Sequence, residues 1–233
     1  MNKIDRRKHY LLMIDTETAN THADEDGRLD TTNCLCYDIG GAVIDTHGEI
    51  YETFSFVNKD IFFYEPLLME TAYYASKIPL YYKGLADGTK KMADTKEIRF
   101  HILNLLEKYG ITECVAHNAR FDCNALNTTE RYTTKSEYRY FLPYGIEWLD
   151  SLKMARDILR ERQAYKDFCA EHNFLTARGL PRYTAEVLYA YITDAPEFQE
   201  EHTGLADVLI EAKIVEFCYK QHKKMRKKLY ENP

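Results

Sequence analysis

The chain has 233 residues, of which 45% are hydrophobic, and a formal net charge of −6. This length suits one α/β domain with a substantial core. The acidic balance excludes a general basic module for binding polyanions, so any contact with nucleic acid must be local or assisted by metal ions. The 19 tyrosines are an unusual number, and we expect many of them to pack the ring while the hydroxyl stays in water.

The cysteines and the N-terminus indicate the compartment. Six cysteines are scattered, and the pair Cys34 and Cys36 is too tight for a C-x-x-C motif. We therefore expect reduced, packed thiols in a reducing compartment. The N-terminus is charged through His9, and the apolar run after it is too short for a signal peptide or a membrane span. The sequence predicts a soluble, cytoplasmic protein with no membrane partner.

The first part of the chain predicts an antiparallel ribbon of three strands. A buried strand is expected over 10–15, ending in an aspartate, and strand-like runs follow at 37–44 and 50–57. Between the last two runs, Asp45-Thr46-His47-Gly48 predicts a hairpin turn, with Gly48 at the position that needs a positive φ.

The rest of the chain predicts loops and then strands alternating with helices. A polar loop is expected at 20–33, and the Tyr-rich segment 61–83 predicts a short helix plus loop. The later elements, in order, are a helix over 95–109 stopped by Gly110, a strand at 114–116, a helix from Ala119 capped by Asn118, a strand at 146–150, a helix to about Arg162, a short helix at 184–191 and a long one from Thr203 to about Lys224. This order predicts an α/β fold with a mixed sheet flanked by helices. We expect residues 1–233 to form a single domain, with a core at about 10–219 and a basic C-terminal tail at 220–233.

Carboxylates and one histidine lie at the junctions of these elements. Asp15 and Glu17 are two positions apart, so both side chains face the same side of an extended backbone. Asp122 falls in the first turn of its helix. Asp207 lies five residues after His202, in the first turns of the last helix. The pattern predicts four carboxylates at one site.

Such a cluster is costly without cations. Two unit charges about 4 Å apart repel by about 4 kcal/mol at an effective dielectric constant near 20. A set of oxygen ligands favours hard Mg²⁺ or Mn²⁺ over zinc. We therefore predict two divalent cations that face a phosphate and activate a water beside it.

Each stretch taken alone has a plainer interpretation. Acidic residues after a strand are common turn formers. Asn118 and Asp122 could be a helix cap and an acid favoured by the helix dipole. An isolated residue such as His202 is more often a surface histidine. The joint appearance of all three stretches, in this order and at these junctions, favours the catalytic interpretation.

The three stretches resemble the motifs of the DEDDh-type 3′–5′ exonucleases of the ribonuclease H-like superfamily. That family includes proofreading ε-like enzymes, the ribonuclease T-like group and many phage-encoded exonucleases. The third stretch has the His-x₄-Asp spacing that separates this branch from the tyrosine-bearing one. The matching segments are Ile14-Asp15-Thr16-Glu17-Thr18, His117-Asn118-Ala119-Arg120-Phe121-Asp122 and His202-Thr203-Gly204-Leu205-Ala206-Asp207.

The resemblance implies a ribonuclease H-like three-layer fold, with a five-stranded mixed sheet and helices on both faces. It implies a metal-dependent enzyme that hydrolyses nucleic acid from the 3′ end and releases 5′-mononucleotides, with two Mg²⁺ or Mn²⁺ ions per active site. Asp15 would bridge both ions, Glu17 and Asp207 would complete one ion site, and Asp122 would serve the second. His202 would take the proton from the attacking water.

The resemblance also suggests how the substrate is held. Thr16, Thr18 and Asn118 are candidates to bind the terminal nucleotide, and Phe121 could stack on a base or pack into the core. We expect 3′ ends of single-stranded DNA rather than RNA as the substrate. The alternatives are an exoribonuclease that trims RNA 3′ ends and a non-catalytic nucleic-acid-binding module of the same fold. A proofreading role would need a separate polymerase, or another replication or repair partner.

Overall fold

The structure is a computed structural model that describes residues 4–23 and 29–230. Its elements in chain order are β1 (Tyr10–Ala19), β2 (His22–Ala23), β3 (Leu29–Asp30), β4 (Leu35–Asp45), β5 (Ile50–Asn58), α1 (Lys59–Phe62), α2 (Pro66–Met69), a 3-10 turn (Ala75–Lys77), α3 (Ile78–Asp87), β6 (Lys91–Ala93), α4 (Thr95–Tyr109), β7 (Glu113–Ala116), α5 (Arg120–Thr134), β8 (Glu147–Asp150), α6 (Ser151–Leu159), α7 (Gln163–Glu171), α8 (Ala185–Thr193) and α9 (Gly204–Lys220).

The main sheet is mixed and has the strand order β6-β5-β4-β1-β7-β8. β1, β4 and β5 are antiparallel neighbours, and the hairpin between β4 and β5 places Gly48 at φ 78°. β7 and β8 extend the sheet in parallel on the other side of β1. The predicted ribbon, its turn and the mixed sheet are therefore confirmed.

The predicted number of five strands is wrong, because the main sheet has six. The additional strand, β6, is three residues long and pairs in parallel with the end of β5. Two of its three residues are exposed, so the sequence shows neither an apolar run nor an alternation there. β2 and β3 pair with each other in a separate two-stranded sheet. They lie within the predicted polar loop at 20–33, of which residues 24–28 fall outside the described part.

Alternate residues of β1 face two different cores. Leu12 and Ile14 pack in a cluster with residues of α4 and α5 on one face of the sheet. Leu11 and Met13 pack with residues of α6, α7, α8 and α9 on the other face. This two-residue period is what an extended strand requires when both faces are covered. The predicted helices on both faces are therefore confirmed. Separately, all six cysteines are free thiols and are buried.

The predicted ends of α4 are confirmed, and their chemistry is local. Asp94 accepts a hydrogen bond from the Glu97 amide, and the Glu97 side chain accepts one from the Asp94 amide in return. This reciprocal pair satisfies two amides at the start of the helix. Gly110 ends the helix at φ 65°, a conformation that glycine adopts without strain.

The predicted capping of α5 by Asn118 is wrong. The helix begins at Arg120, and Ala119 precedes it without a side-chain cap. Asn118 has φ 62°, and its amide donates to the Asp150 carboxylate at 3.2 Å. Its backbone carbonyl accepts from the Phe121 amide at 2.9 Å. The backbone rather than the side chain of Asn118 is therefore used at this junction, and its side chain lines a cleft.

The chain after α9 turns back toward β8. α9 ends at Lys220, four residues before the predicted end, and α6 ends at Leu159 rather than Arg162. The Lys227 carbonyl accepts from the Asp150 amide at 2.7 Å, and the Leu229 amide donates to the Trp148 carbonyl at 2.8 Å. These bonds pair the C-terminal segment with the outer strand of the sheet. In the described part of the chain, no helix has the length and apolar character needed to cross a bilayer.

Candidate active site

All nine residues predicted for the site line one cleft of about 550 Å³. One carboxylate oxygen from each of Asp15, Glu17 and Asp207 lies within 4.8 Å of the other two. The other predicted residues in the cleft wall are Thr16, Thr18, Asn118, Phe121, Asp122 and His202. The fold thus brings together three stretches that are far apart in the sequence.

The sequence predicts that β1 ends at Asp15, but the strand continues to Ala19. Its pairing with β7 is recorded at Leu12 and Met13, whereas its pairing with β4 continues to Ala19, across a bulge between Glu17 and Thr18. The strand therefore leaves its parallel neighbour just before Asp15. Bulges commonly re-aim side chains beside functional sites, and this one follows Glu17 directly.

Two glycines allow the third stretch to approach the first. Gly40 of β4 lies opposite Asp15. A Cβ atom on Gly40 would lie 2.1 Å from the carbonyl carbon of Gly204, and one on Gly204 would lie 2.6 Å from the backbone nitrogen of Gly40. No real Cβ atom fits at these distances, so glycine at both positions lets the start of α9 contact the strand. This contact places Asp207 beside Asp15.

Asp38 also holds the first residue of α9. This fully buried carboxylate accepts a hydrogen bond from the Gly204 amide at 2.9 Å. Its charge is balanced by Lys90, whose Nζ lies 3.1 Å from the carboxylate and also donates to Ser55 at 3.0 Å. Asp38 is not a member of the cleft wall. It therefore holds α9 in position, while its charge is neutralised by a lysine.

Asp122 is held by the first stretch. One oxygen of its buried carboxylate accepts from the Thr16 amide at 3.1 Å and from the Thr16 hydroxyl at 2.9 Å. Burial raises the pKa of Asp122 to about 7, and the bonds from Thr16 oppose that rise. The sequence suggested Thr16 as a candidate to bind the terminal nucleotide. In the structure, its hydroxyl donates to the Asp122 carboxylate.

The remaining carboxylates share this electrostatic strain. Desolvation, followed by repulsion from neighbouring carboxylates, raises the pKa of Asp15 well above its usual value. Burial and the Asp207 carboxylate raise the pKa of Glu17 to about 9. Burial raises the pKa of Asp207 to about 7, although a bond from the His202 amide opposes it. Nearby cations would relieve these shifts, because an opposite charge favours the ionised form.

Two further carboxylates in the cleft wall were missed from the sequence. Glu211 lies one helical turn after Asp207 and is buried. The i,i+4 spacing from Asp207 could have indicated it, because such residues share one face of a helix. Glu200 precedes α9 in a loop, and burial raises its pKa to about 8. Its loop position gives no periodic signal.

The donor set fits hard divalent cations. One carboxylate oxygen of Asp207 and one of Glu211 are buried without a hydrogen-bond partner among the described residues. A buried acceptor left without a partner is costly, and a cation would satisfy both oxygens. Since the donors are oxygens, the cluster suits a hard divalent cation.

His202 lies at the cleft with its ring against an aromatic side chain. Its backbone has φ 57°. The imidazole stacks on the Tyr74 ring, with the centroids 4.3 Å apart and the planes 10° apart. Its Nδ1 atom lies 3.7 Å from a carboxylate oxygen of Glu200. Burial lowers the pKa of His202, which favours the neutral ring that can accept a proton.

Aromatic and basic residues complete the cleft wall. Tyr73 and Tyr74 come from the Tyr-rich segment, for which the sequence suggested no function. Arg156 and Arg182 are the cations among the lining residues, and Arg156 lies 5.6 Å from the centre of the Tyr183 ring. Phe121 both lines the cleft and packs against the core below it. The cleft therefore combines an acidic centre with groups suited to bases and phosphates.

No protein-family model and no curated protein matches the sequence. Solved structures of Escherichia coli exonuclease I do match in fold. One structure of exonuclease I aligns with a TM-score of 0.52 and 17% identity over 92% of this chain and 43% of that chain. A second, in complex with a dT13 oligonucleotide, aligns with a TM-score of 0.50 and 16% identity over 90% of this chain and 41% of that chain.

The likeness establishes the fold. This chain has the ribonuclease H-like α/β fold of those structures, with one strand more than the sequence predicted. The chain spans less than half the length of the exonuclease I chains that it matches. The likeness therefore extends to the fold and not to activity or substrate.

Proposed function

We propose that this protein is a metal-dependent 3′–5′ exonuclease of the DEDDh type. The observation that carries this proposal is the meeting of Asp15, Glu17, Asp122 and Asp207 in one cleft with His202 at its wall. The likeness in fold to exonuclease I supports it. A non-catalytic module of this fold would have no need for a site with so much electrostatic strain.

The four carboxylates are proposed to hold two Mg²⁺ or Mn²⁺ ions. When bound, such ions supply stabilisation of charge on the phosphate and lower the pKa of a water molecule. Thr16 keeps Asp122 in place through its two hydrogen bonds. Asp38 and the Gly40–Gly204 contact keep Asp207 beside Asp15.

His202 is proposed to be the general base. Its Nδ1 atom faces Glu200, which leaves Nε2 to accept the proton of the attacking water. In its ionised form, Glu200 would then stabilise the imidazolium that forms, since an opposite charge favours the charged form. Residues in such roles typically contribute a factor of 10²–10⁴ to the rate.

The proposed substrate is the 3′ end of single-stranded DNA, and the product is a 5′-mononucleotide. One of the matching exonuclease I structures contains a dT13 oligonucleotide. In this chain, Asn118 and Thr18 line the cleft beside the carboxylates, where a terminal nucleotide would lie. Phe121 of the wall could stack on its bases. A polymerase or another replication or repair partner stays a prediction from the family resemblance.

The test uses oligonucleotides labelled at the 5′ end: single-stranded DNA, duplex DNA and RNA of the same sequence. We expect a ladder shortened from the 3′ end in Mg²⁺ or Mn²⁺, with 5′-mononucleotides identified by mass spectrometry, and no digestion in EDTA. Asp207→Asn should be inactive, whereas the matched variant of an exposed aspartate outside the cleft, Asp194→Asn, should be active. Preferential digestion of RNA would favour the exoribonuclease. Binding without digestion of any substrate would contradict the proposal.

A further inference from the structure

We propose that Tyr74 is a positioning residue for His202. The proposal rests on the function proposed above and extends it to the Tyr-rich segment. The two rings are nearly parallel, 10° apart, with their centroids 4.3 Å apart. Tyr74 does not have to touch the substrate in this role, because it acts by fixing the direction of the imidazole.

The position of His202 explains why such support is needed. The residue lies in the segment that joins α8 to α9, and its φ of 57° is unusual for a residue with a side chain. A histidine there can rotate about two side-chain bonds, so its ring needs neighbours to hold one orientation. Contact with an aromatic face reduces that freedom. Glu200, a residue of the cleft wall, lies 3.7 Å from Nδ1. The Nδ1 edge of the ring therefore faces the wall, and the Nε2 edge faces away from it.

Tyr74 is itself attached to the strand that carries two of the carboxylates. The amide of its neighbour Tyr73 donates to the Thr18 carbonyl at 3.3 Å, directly after Glu17 in the chain. The Tyr73 ring meets the Tyr74 ring edge to face, with centroids 4.7 Å apart. His202 is thus connected, through Tyr74 and Tyr73, to the part of β1 that carries Glu17. These contacts fix the position of the general base relative to the carboxylates.

The kinetic test compares Tyr74→Leu with Tyr74→Phe. Loss of the ring should lower kcat about three- to tenfold, the scale expected for one aromatic pair, with KM little changed. Tyr74→Phe retains the ring and should restore kcat to within about twofold of the wild type. In a His202→Ala background, Tyr74→Leu should have no further effect on kcat, because the group it positions is gone.

A spectroscopic test does not depend on activity. In ¹H–¹³C spectra of histidine-labelled protein, the His202 ring protons should be shifted upfield by the ring current of Tyr74. His202→Ala identifies these signals. Tyr74→Leu should move them toward the values of an unstacked histidine, and Tyr74→Phe should leave them in place. The matched control is Tyr64→Leu, which alters an exposed tyrosine of the same segment that does not line the cleft.

The outcomes separate this proposal from the proposed function. Unchanged His202 signals in Tyr74→Leu would overturn the positioning role, whether or not the wild type digests nucleic acid. A raised KM at constant kcat, or an equal loss of kcat in the His202→Ala background, would also overturn it and make Tyr74 a substrate-stacking residue. An inactive wild type whose signals behave as expected would instead refute the exonuclease function, and the catalytic part of this proposal with it.

Discussion

The carboxylate of Asp122 is held by Thr16, through the backbone amide at 3.1 Å and the hydroxyl at 2.9 Å. The two residues are 106 positions apart in the chain. Thr16 stands between Asp15 and Glu17, so a single residue links the two carboxylates of β1 to the carboxylate of α5. These two hydrogen bonds therefore hold the Asp122 carboxylate in place relative to Asp15 and Glu17.

We expect Thr16→Val to weaken cation binding while the fold is retained. Valine has a similar shape but cannot donate, so Asp122 keeps only the bond from the backbone amide. A hydrogen bond to a charged group contributes about 1.5–3 kcal/mol to stability, and only the part that orients the carboxylate for the ion affects binding, so we expect an about three- to tenfold loss of Mn²⁺ affinity by calorimetry. Thr193→Val, which removes an exposed hydroxyl in α8, is the control. Wild-type affinity in Thr16→Val would mean that the hydroxyl does not orient Asp122.

We expect Glu211→Gln, Asp122→Asn and Asp207→Asn each to raise the melting temperature of the metal-free protein. Each change removes one charge from a cluster of repelling carboxylates, a relief on the order of a kilocalorie per mole or more. The same variants should gain less stability than the wild type from added Mg²⁺, because ligand binding to the folded state stabilises it by mass action.

The matched control for this series is Glu216→Gln, on the same helix as Glu211. Glu216 is paired with Lys213 at 2.9 Å and with Lys220 at 2.6 Å, so its neutralisation should not stabilise the protein. Lower melting temperatures for all three cleft variants in EDTA would mean that these carboxylates do not repel one another.

The stability of the metal-free protein should fall as the pH rises. The folded-state pKa values are raised, to about 7 for Asp122 and Asp207 and about 9 for Glu17, whereas unfolded carboxyl groups titrate near pH 4. Between about pH 4 and these values the folded state holds protons that the unfolded chain has lost. The free energy of unfolding therefore decreases with pH in this window and levels off above it.

Urea titrations in EDTA from pH 5 to pH 9 would measure this trend. Repeating them in Mg²⁺ should give a flatter dependence, because the ion replaces the protons in stabilising the cluster. A metal-free stability that is constant or rises across this range would contradict the raised pKa values.

We expect His202→Ala to lower turnover by about 10²–10⁴, the usual contribution of a positioned general base. Mn²⁺ affinity should stay near that of the wild type, since the oxygen donors are provided by carboxylates. Calorimetry and single-turnover digestion measure the two effects separately. His222→Ala, at an exposed histidine outside the cleft, serves as the control. If His202→Ala abolished metal binding, His202 would be a ligand rather than the base.

The sequence predicted the elements whose patterns are local. The apolar run that starts β1 and the stripe of α4 before Gly110 lie in a few neighbouring residues, so the start of the strand and both ends of the helix could be predicted closely. The cluster of Asp15, Glu17, Asp122 and Asp207 could also be predicted, because three short stretches with the right residues and spacings occur in this order along the chain.

Features that depend on tertiary contacts could not be predicted. β6 is too short to show a period, and it exists because β5 offers it a partner. Asn118 matched a helix cap in sequence, but the Asp150 carboxylate engages its backbone instead. The stack of Tyr74 on His202 joins residues that no local pattern connects. The need for glycine at Gly40 appears only when α9 lies on the strand.

The most direct test of the central claim compares the wild type with Asp15→Asn on single-stranded DNA labelled at the 5′ end, in Mg²⁺ or Mn²⁺. Asparagine retains the size of the side chain but lacks the charge that cations require, so the variant should keep its fold by circular dichroism. We predict shortening from the 3′ end by the wild type and almost none by Asp15→Asn. Digestion at the wild-type rate by pure, folded Asp15→Asn would contradict the account.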